Sequence, residues 1–147
     1  MRLTLLALFS LAPRLAAQAA PMPTAELVPV TAAQFQGLRW LEGVWRGSGG
    51  DYPSFFEDFR WTDDSTVDRH TYADSTLARV TETSQLLLRG GRLHQARNGT
   101  LRGGAVLLRG DSLRFASGVL WIRRSNDHWT AILGNGRVVY ELRRYQP

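Results

Sequence analysis

From residue 54 to the end of the chain, apolar and polar residues alternate in short segments with turn residues between them. This alternation is typical of β-strands that bury one face. Nine segments have this character: SFFEDFRW, TVDRHTY, LARVTETSQLLLR, RLHQAR, GAVLLR, SLRFAS, VLWIRR, HWTAIL and RVVYELRRY. The dipeptides Asn98-Gly99 and Gly110-Asp111 favour tight hairpins between them. Because parallel strands need long crossovers, these short links predict an antiparallel meander of about nine strands, which closes into a barrel to bury its edges.

One helix is predicted before the strands. Thr31 can cap it, and Phe35, Leu38 and Leu41 follow at a spacing that places them on one face. Gly43 is predicted to end it. Residues 20–30 hold three prolines and predict an extended lead-in. The fold class is therefore all-β: a single antiparallel up-and-down β-barrel over residues 31–147, preceded by one short α-helix.

The N-terminus has the pattern of a secretory signal peptide. Arg2 precedes an apolar run from Leu3 to Ala12, and small residues end in Ala17-Gln18-Ala19. The apolar run is shorter than the roughly 20 residues that span a bilayer, although an uncleaved anchor is the alternative. Residues 1–19 are predicted to be a signal peptide, so we expect a secreted or periplasmic protein with no transmembrane segment after cleavage.

The amino-acid composition of the chain argues against some structural and functional classes. The chain has no cysteine, so its core must hold it without disulfides. The formal net charge is +5, and every basic residue other than histidine is arginine. These arginines are scattered along the sequence, whereas a nucleic-acid-binding surface clusters them. No nucleic-acid partner is predicted.

The stretch after the predicted helix is rich in glycine: residues 43–49 have the sequence GVWRGSG. A dinucleotide-binding loop would need a strand before its glycines and a helix after them, and this order is reversed. A phosphate-binding P-loop would also need a lysine, which the chain lacks. Strand alternation instead places Trp45, Gly47 and Gly49 on one face. This composition suits a strand that bends at a barrel end.

The last predicted strand carries an arginine in its apolar row. Val138, Tyr140 and Leu142 share a face, and Arg144 continues it. An inward arginine is costly unless something covers it. We expect its guanidinium to stack on Trp45, in a cation–π contact of about 0.5–2 kcal/mol.

These features resemble a known superfamily. A helix, then Gly43-Val44-Trp45, with Arg144 on the last strand, resembles the calycins, which include lipocalins and fatty-acid-binding proteins. The stretch from Gly43 to Gly49, followed by Tyr52-Pro53, is similar to the opening of nitrobindin-type barrels. That specific match covers about residues 38–59. The predicted structural residues are Gly43, Trp45, Gly47 and Arg144.

The resemblance implies a small barrel that carries haem in its mouth through one histidine. Two features depart from that family: the glycine run is one residue shorter, and no C-terminal histidine segment precedes Pro147. The resemblance is therefore applied to the fold and to the structural roles of Trp45 and Gly47, while haem binding is kept as an alternative. The cofactor is left unspecified.

The aromatic residues of the strands are predicted to line the barrel. If they leave space, they form the wall of a binding site. We therefore predict a barrel that binds a small apolar or amphipathic ligand. The alternative is a filled barrel that acts as an envelope interaction module. The predicted ligand-binding residues are Phe55, Phe59, Trp61, Tyr72, Phe115, Trp121 and Trp129.

The histidines predict neither a metal site nor a catalytic residue. His70, His94 and His128 lack metal-ligand spacing. Asp68 and His70 share a strand face, where a carboxylate could orient the imidazole of an enzyme, but a solvent-facing polar pair is the favoured interpretation. His128 is predicted to point outward, because it alternates with Trp129.

Overall fold

The computed structural model describes residues 25–147, so the predicted signal peptide and the first part of the lead-in lie outside the described residues. It contains one short helix, α1 (Ala32–Gln36), followed by a 3₁₀ turn (Gly37–Leu41) and ten strands. No helix among these residues is long and apolar enough to cross a membrane. The strands are β1 (Gly43–Gly49), β2 (Tyr52–Asp63), β3 (Thr66–Tyr72), β4 (Val80–Arg89), β5 (Arg92–Arg97), β6 (Thr100–Arg109), β7 (Ser112–Phe115), β8 (Leu120–Arg123), β9 (His128–Leu133) and β10 (Val138–Arg144).

The strands form a closed antiparallel barrel in which each pairs with its neighbours in sequence and β10 closes on β1. The all-β barrel with one short helix is therefore confirmed. The predicted number of about nine strands is wrong, because the glycine-rich stretch adds a full strand, β1, to the nine alternating segments. Closure leaves no unpaired sheet edge.

The helix begins where the sequence predicts but ends earlier. Thr31 and Gln34 form a reciprocal capping box. The α-helix gives way to the 3₁₀ turn at Gly37, and Gly43 is the first residue of β1 rather than the end of the helix. Its φ of +107° turns the chain into the strand, and a Cβ there would lie 2.6 Å from Nη1 of Arg144. Only glycine fits this close approach.

The helical segment covers one end of the barrel, called here the closed end. Gln36 donates a hydrogen bond to the carbonyl of Asp64 in the β2–β3 turn (2.9 Å), and Phe35, Leu38 and Leu41 are fully buried. The lead-in also lies at this end, since Val30 bonds to the carbonyl of Gly91 in the β4–β5 turn (2.9 Å). Apolar side chains therefore fill the closed end.

An aromatic cluster occupies the middle of the barrel. Its rings meet edge-on or tilted, with centroids between 5.1 and 6.1 Å apart, as aromatic pairs prefer. Each ring is at least nine-tenths buried. Its members are Trp45, Phe59, Phe115, Trp121 and Trp129.

The predicted stack of arginine on tryptophan is present. Trp45 and Arg144 are register partners, and the guanidinium carbon lies 3.9 Å from the centre of the Trp45 ring system. Arg144 also donates to backbone carbonyls of Trp40 (3.3 Å), Glu42 and Asn126 (3.0 Å). The arginine thus joins the first strand, the last strand and the 3₁₀ turn at the closed end.

Gly47 provides room for a ring from the neighbouring strand. A Cβ at this position would lie 2.1 Å from Cζ of Phe55. The glycine spacing seen in the sequence therefore reflects close packing inside the barrel.

Candidate functional site

Two adjoining cavities lie in the half of the barrel away from the helix, called here the open end. Each has a volume of about 160 Å³. Arg69, Gln95 and Trp121 contribute to the walls of both. Trp121 and Trp129 of the aromatic cluster form part of these walls, and the first cavity reaches the rim, where its lining residues Glu82 and Arg97 are partly exposed.

The two cavities differ mainly in how many polar side chains line them. The first, called the polar cavity, is lined by Glu82, Ser84 and Gln95 together with Arg97 and Arg102, although Leu86, Ala96 and Trp121 also line it and its surface is mainly apolar. The second, called the apolar cavity, has a wall that is mostly hydrocarbon and aromatic. Its apolar members are Phe55, Val119, Trp121, Trp129, Ala131, Leu133, Tyr140 and Leu142.

A buried ion pair stands in the wall of the apolar cavity. Glu57 of β2 accepts a charge-assisted hydrogen bond from Nη2 of Arg69 of β3. The glutamate side chain is 3% exposed and the arginine side chain 27%. Burial lowers the pKa of Arg69, but the charge and the hydrogen bond of Glu57, and then the charge of Glu82, outweigh it and raise this pKa above its usual value. Arg69 is therefore charged at neutral pH.

Strand alternation places both charges inside. Glu57 is the register partner of Trp45, and Arg69 is the partner of Phe59. This pair was not predicted from the sequence, although a signal was available: Glu57 interrupts the apolar row of Phe55 and Phe59, and Arg69 follows the inward Val67 by two residues.

Two residues that line the apolar cavity carry a buried nitrogen without a hydrogen-bond partner. Nε of Arg69 and Nε1 of Trp129 are buried and make no hydrogen bond in the described chain. Trp129 is 1% exposed. Buried donors without a partner are uncommon in proteins and call for an explanation.

The structure brings five of the seven predicted ligand-binding residues toward the cavities. Phe55, Trp121 and Trp129 line them, while Phe59 and Phe115 belong to the aromatic cluster beneath. Trp61 lies at the closed end instead, against Phe35 with ring centroids 6.2 Å apart.

Tyr72 is on the outer face of the barrel, so its predicted place in the lumen is corrected. It is the register partner of Phe56, and its hydroxyl donates to Asp58 at 3.5 Å. Burial, and then the charge of Asp58, raise the pKa of Tyr72. The residue is buried because the outer face is covered there: the C-terminal Tyr145 packs on Phe56 with ring centroids 4.9 Å apart. In the sequence, Tyr72 lies two and four residues after His70 and Asp68, and this spacing already indicated that it shares their outer face of β3.

The histidines also face away from the cavities. His70 is the register partner of Asp58, which belongs to the outer face, and Asp68 accepts a hydrogen bond from Gln85 (2.7 Å). His94 alternates with the inward Leu93 and Gln95. Neither cavity is lined by a histidine, so the lining offers no histidine ligand for haem. Within residues 25–147, no three acidic, histidine or cysteine side chains are grouped to hold a metal.

His128 lies on the outer face as predicted, in a polar row across β9 and β10. Its Nε2 bonds to the carboxylate of Glu141, which also accepts from Thr130 (3.2 Å). Burial raises the pKa of Glu141, but the hydrogen bonds from His128 and Thr130 outweigh it and lower this pKa below the usual 4.5. Glu141 thus stabilises the fold above pH 4.5, and that contribution disappears as the pH falls through the lowered value.

We expect Glu141→Gln to lower the free energy of unfolding at pH 7 by less than about 1 kcal/mol, because the carboxylate is partly screened by solvent. The loss should become smaller as the pH falls through the lowered pKa of Glu141. Urea unfolding of both proteins at pH 7 and at pH 3 measures this change, with the exposed Asp51→Asn as control. A loss of equal size at both pH values would contradict the role given to the carboxylate.

Comparison with known proteins does not assign the chain to a family. No protein-family model matches the chain, and no curated protein matches it. Among solved structures, a redesigned β-barrel is similar to it at 11% identity, over 82% of this chain and 100% of that one, with a TM-score of 0.36.

Proposed function

We propose that this protein binds a small apolar or amphipathic molecule in the two cavities at the open end of its barrel. The supporting observation is the division of the interior: side chains fill the closed end, whereas the open end keeps two spaces of about 160 Å³. An apolar wall with a few polar groups is typical of small-molecule sites. The resemblance to calycins favours the same function, and the signal-peptide pattern of residues 1–19 favours a secreted or periplasmic location.

The cavities limit the size of the ligand. A cavity of about 150 Å³ accommodates a benzene molecule. Each cavity therefore has room for about one aromatic ring, and a molecule that fills both would pass between Arg69, Gln95 and Trp121, the residues that the cavities share.

Toluene provides a direct test of the proposed site. The protein has five tryptophans, and each gives an indole N–H signal in a spectrum of ¹⁵N-labelled protein. Titration with toluene should shift the signals of Trp121 and Trp129 saturably and leave the signal of Trp61, at the closed end, nearly unchanged. Shifts that grow linearly with concentration, or spread equally over all five signals, would contradict a cavity site.

A matched pair of variants locates the binding. Ala131 lines the apolar cavity and is buried, whereas Ala116 is exposed in the β7–β8 turn. Ala131→Leu should weaken toluene binding at least about tenfold, a loss of about 1.4 kcal/mol, because the added carbon atoms occupy the space that the ligand needs. Ala116→Leu should leave the affinity unchanged. If Ala131→Leu binds toluene as the parent does, the apolar cavity is not the site.

A second candidate is an interaction module that uses the surface of the barrel. Within residues 25–147 four large apolar residues are exposed, and all of them lie at the ends of strands around the open end: Tyr52, Val80, Leu101 and Val139. A failed toluene titration would favour this candidate.

A further inference from the structure

The walls of the two cavities together contain one more arginine than acidic residue. Three arginines line them, Arg69, Arg97 and Arg102, against two glutamates, Glu57 and Glu82. Glu57 pairs with Arg69, and Glu82 pairs with Arg97 at 3.1 Å. Arg102 has no acidic partner among the described residues. The lining therefore keeps one positive charge that no carboxylate of the described chain neutralises.

A β-bulge directs Arg102 toward the polar cavity. Leu101 and Gly103 pair with consecutive residues of β5, so Arg102 between them is an extra residue without a register partner. Strict alternation from the inward Ala105 would place Arg102 on the outer face, yet it lines the cavity. Bulges commonly redirect a side chain at the rim of a barrel or beside a functional site.

The polar cavity also offers uncharged hydrogen-bonding groups that a ligand can reach. Gln95 lines both cavities, and Ser84 lines the polar one. Neither side chain makes a hydrogen bond in the described chain, and neither is among the unpaired polar groups that are closed to solvent. In this they differ from Nε of Arg69 and Nε1 of Trp129, which are closed to it. An oxygen-bearing group in the polar cavity can therefore accept from Gln95 and Ser84 beside Arg102.

We propose that the ligand is an amphipathic molecule with a single negative charge, whose carboxylate lies beside Arg102 in the polar cavity and whose ring or short hydrocarbon lies in the apolar cavity. This inference rests on the proposed function. One negative charge balances the unmatched arginine, and a carboxylate accepts charge-assisted hydrogen bonds from a guanidinium. The apolar cavity is the poorer place for that charge, because the buried carboxylate of Glu57 stands in its wall.

The size of the apolar cavity narrows this class further. At about 160 Å³ it has room for about one benzene ring. The proposed ligand is therefore an aromatic or short-chain acid rather than a long-chain lipid.

Three compounds of similar length separate the possible charges of the ligand. Hydrocinnamate carries a carboxylate, hydrocinnamamide has the same shape without a charge, and phenylpropylamine, with its amine at the chain end, is positively charged at pH 7. Their affinities are measured by titration of the indole N–H signals in the parent protein and in Arg102→Gln. Arg114→Gln is the matched control: Arg114 is also exposed and without an acidic partner among the described residues, but it lines neither cavity.

We expect the parent to bind hydrocinnamate at least about fivefold more tightly than hydrocinnamamide, as for a charge-assisted hydrogen bond that is partly screened by solvent, and to bind the amine most weakly. The preference for the acid over the amide should fall at least about threefold in Arg102→Gln and stay unchanged in Arg114→Gln. Ala131→Leu should weaken the acid and the amide by the same factor, because it takes space only from the ring.

Equal affinities for the acid and the amide in the parent, or tightest binding of the amine, would overturn the inference, and toluene binding would still support the proposed function. Failure of all three compounds to bind while toluene binds would overturn it in the same way. A preference for the acid that is unchanged in Arg102→Gln, or that falls equally in Arg114→Gln, would mean that Arg102 does not hold the carboxylate. If neither these compounds nor toluene binds, the proposed function fails together with the inference.

Discussion

Arg69→Met is expected to lower the free energy of unfolding by about 3–5 kcal/mol. The substitution leaves the carboxylate of Glu57, whose side chain is 3% exposed, without its partner, which is the costly way to break a buried ion pair. Glu57→Gln should cost less, because the side chain of Arg69 keeps 27% of its exposure and can be hydrated. Urea denaturation followed by tryptophan fluorescence measures both losses.

The double variant with Glu57→Gln and Arg69→Met provides the control. Removing both charges should restore most of the stability lost in Arg69→Met, since uncharged residues often replace a buried ion pair at little cost. The exposed pair of Arg39 and Glu42 is a comparison, and Arg39→Met should change stability by less than about 1 kcal/mol. Equal losses for Arg69→Met and Arg39→Met would mean that solvent reaches Glu57 freely.

The large expected cost raises the question of why the pair is retained. Methionine and glutamine could fill the same volume without charges, so packing alone does not require Arg69 and Glu57. The pair stands in the wall of the apolar cavity and leaves one guanidinium nitrogen unpaired. Polar groups that cost stability are expected at functional sites.

Much of the fold was predictable because it follows from alternation within single strands. The bounds predicted for β3, β5 and β9 agree with the structure, since polar turns flank each of these segments. Alternation also placed Trp45 and Arg144 on inward faces. The strand count was too low because the glycine-rich strand β1, although predicted from the alternation of Trp45, Gly47 and Gly49, was not added to the nine alternating segments.

The candidate site was less predictable because it depends on which strand faces meet. The aromatic residues were interpreted as lining wherever they occurred, so Tyr72 was included although it shares its parity with polar residues. Glu57 and Arg69 were overlooked because each appears alone in its own strand. Only the register of β2 with β3 makes them partners. The cavities themselves depend on side-chain packing that no pattern in the sequence describes.

Trp45→Ala is expected to be the other severely destabilising substitution, at about 3–5 kcal/mol. Trp45 is fully buried, its ring meets Trp129 edge-on with centroids 6.1 Å apart, and its Nε1 donates to the carbonyl of Leu41 at 2.6 Å. The substitution leaves a large hole where β1, β10 and the 3₁₀ turn meet. Chemical denaturation measures the loss, which is enough to unfold a domain of marginal stability.

A double-mutant cycle distinguishes the free energy of the contact between Trp45 and Arg144 from the free energy that comes from burying Trp45 alone. Arg144→Ala should cost less than Trp45→Ala, and the two losses should differ from additivity by at least about 0.5 kcal/mol, because the guanidinium lies over the ring. Arg143 is the matched control: it is the next residue, it is exposed, and its register partner is Arg46 rather than Trp45. Additive losses for Trp45 and Arg144, or an equal coupling between Trp45 and Arg143, would show that the cation–π contact does not hold the ends of the barrel wall together. If the coupling is found, the cation–π contact helps to hold β1 against β10 at the closed end of the barrel.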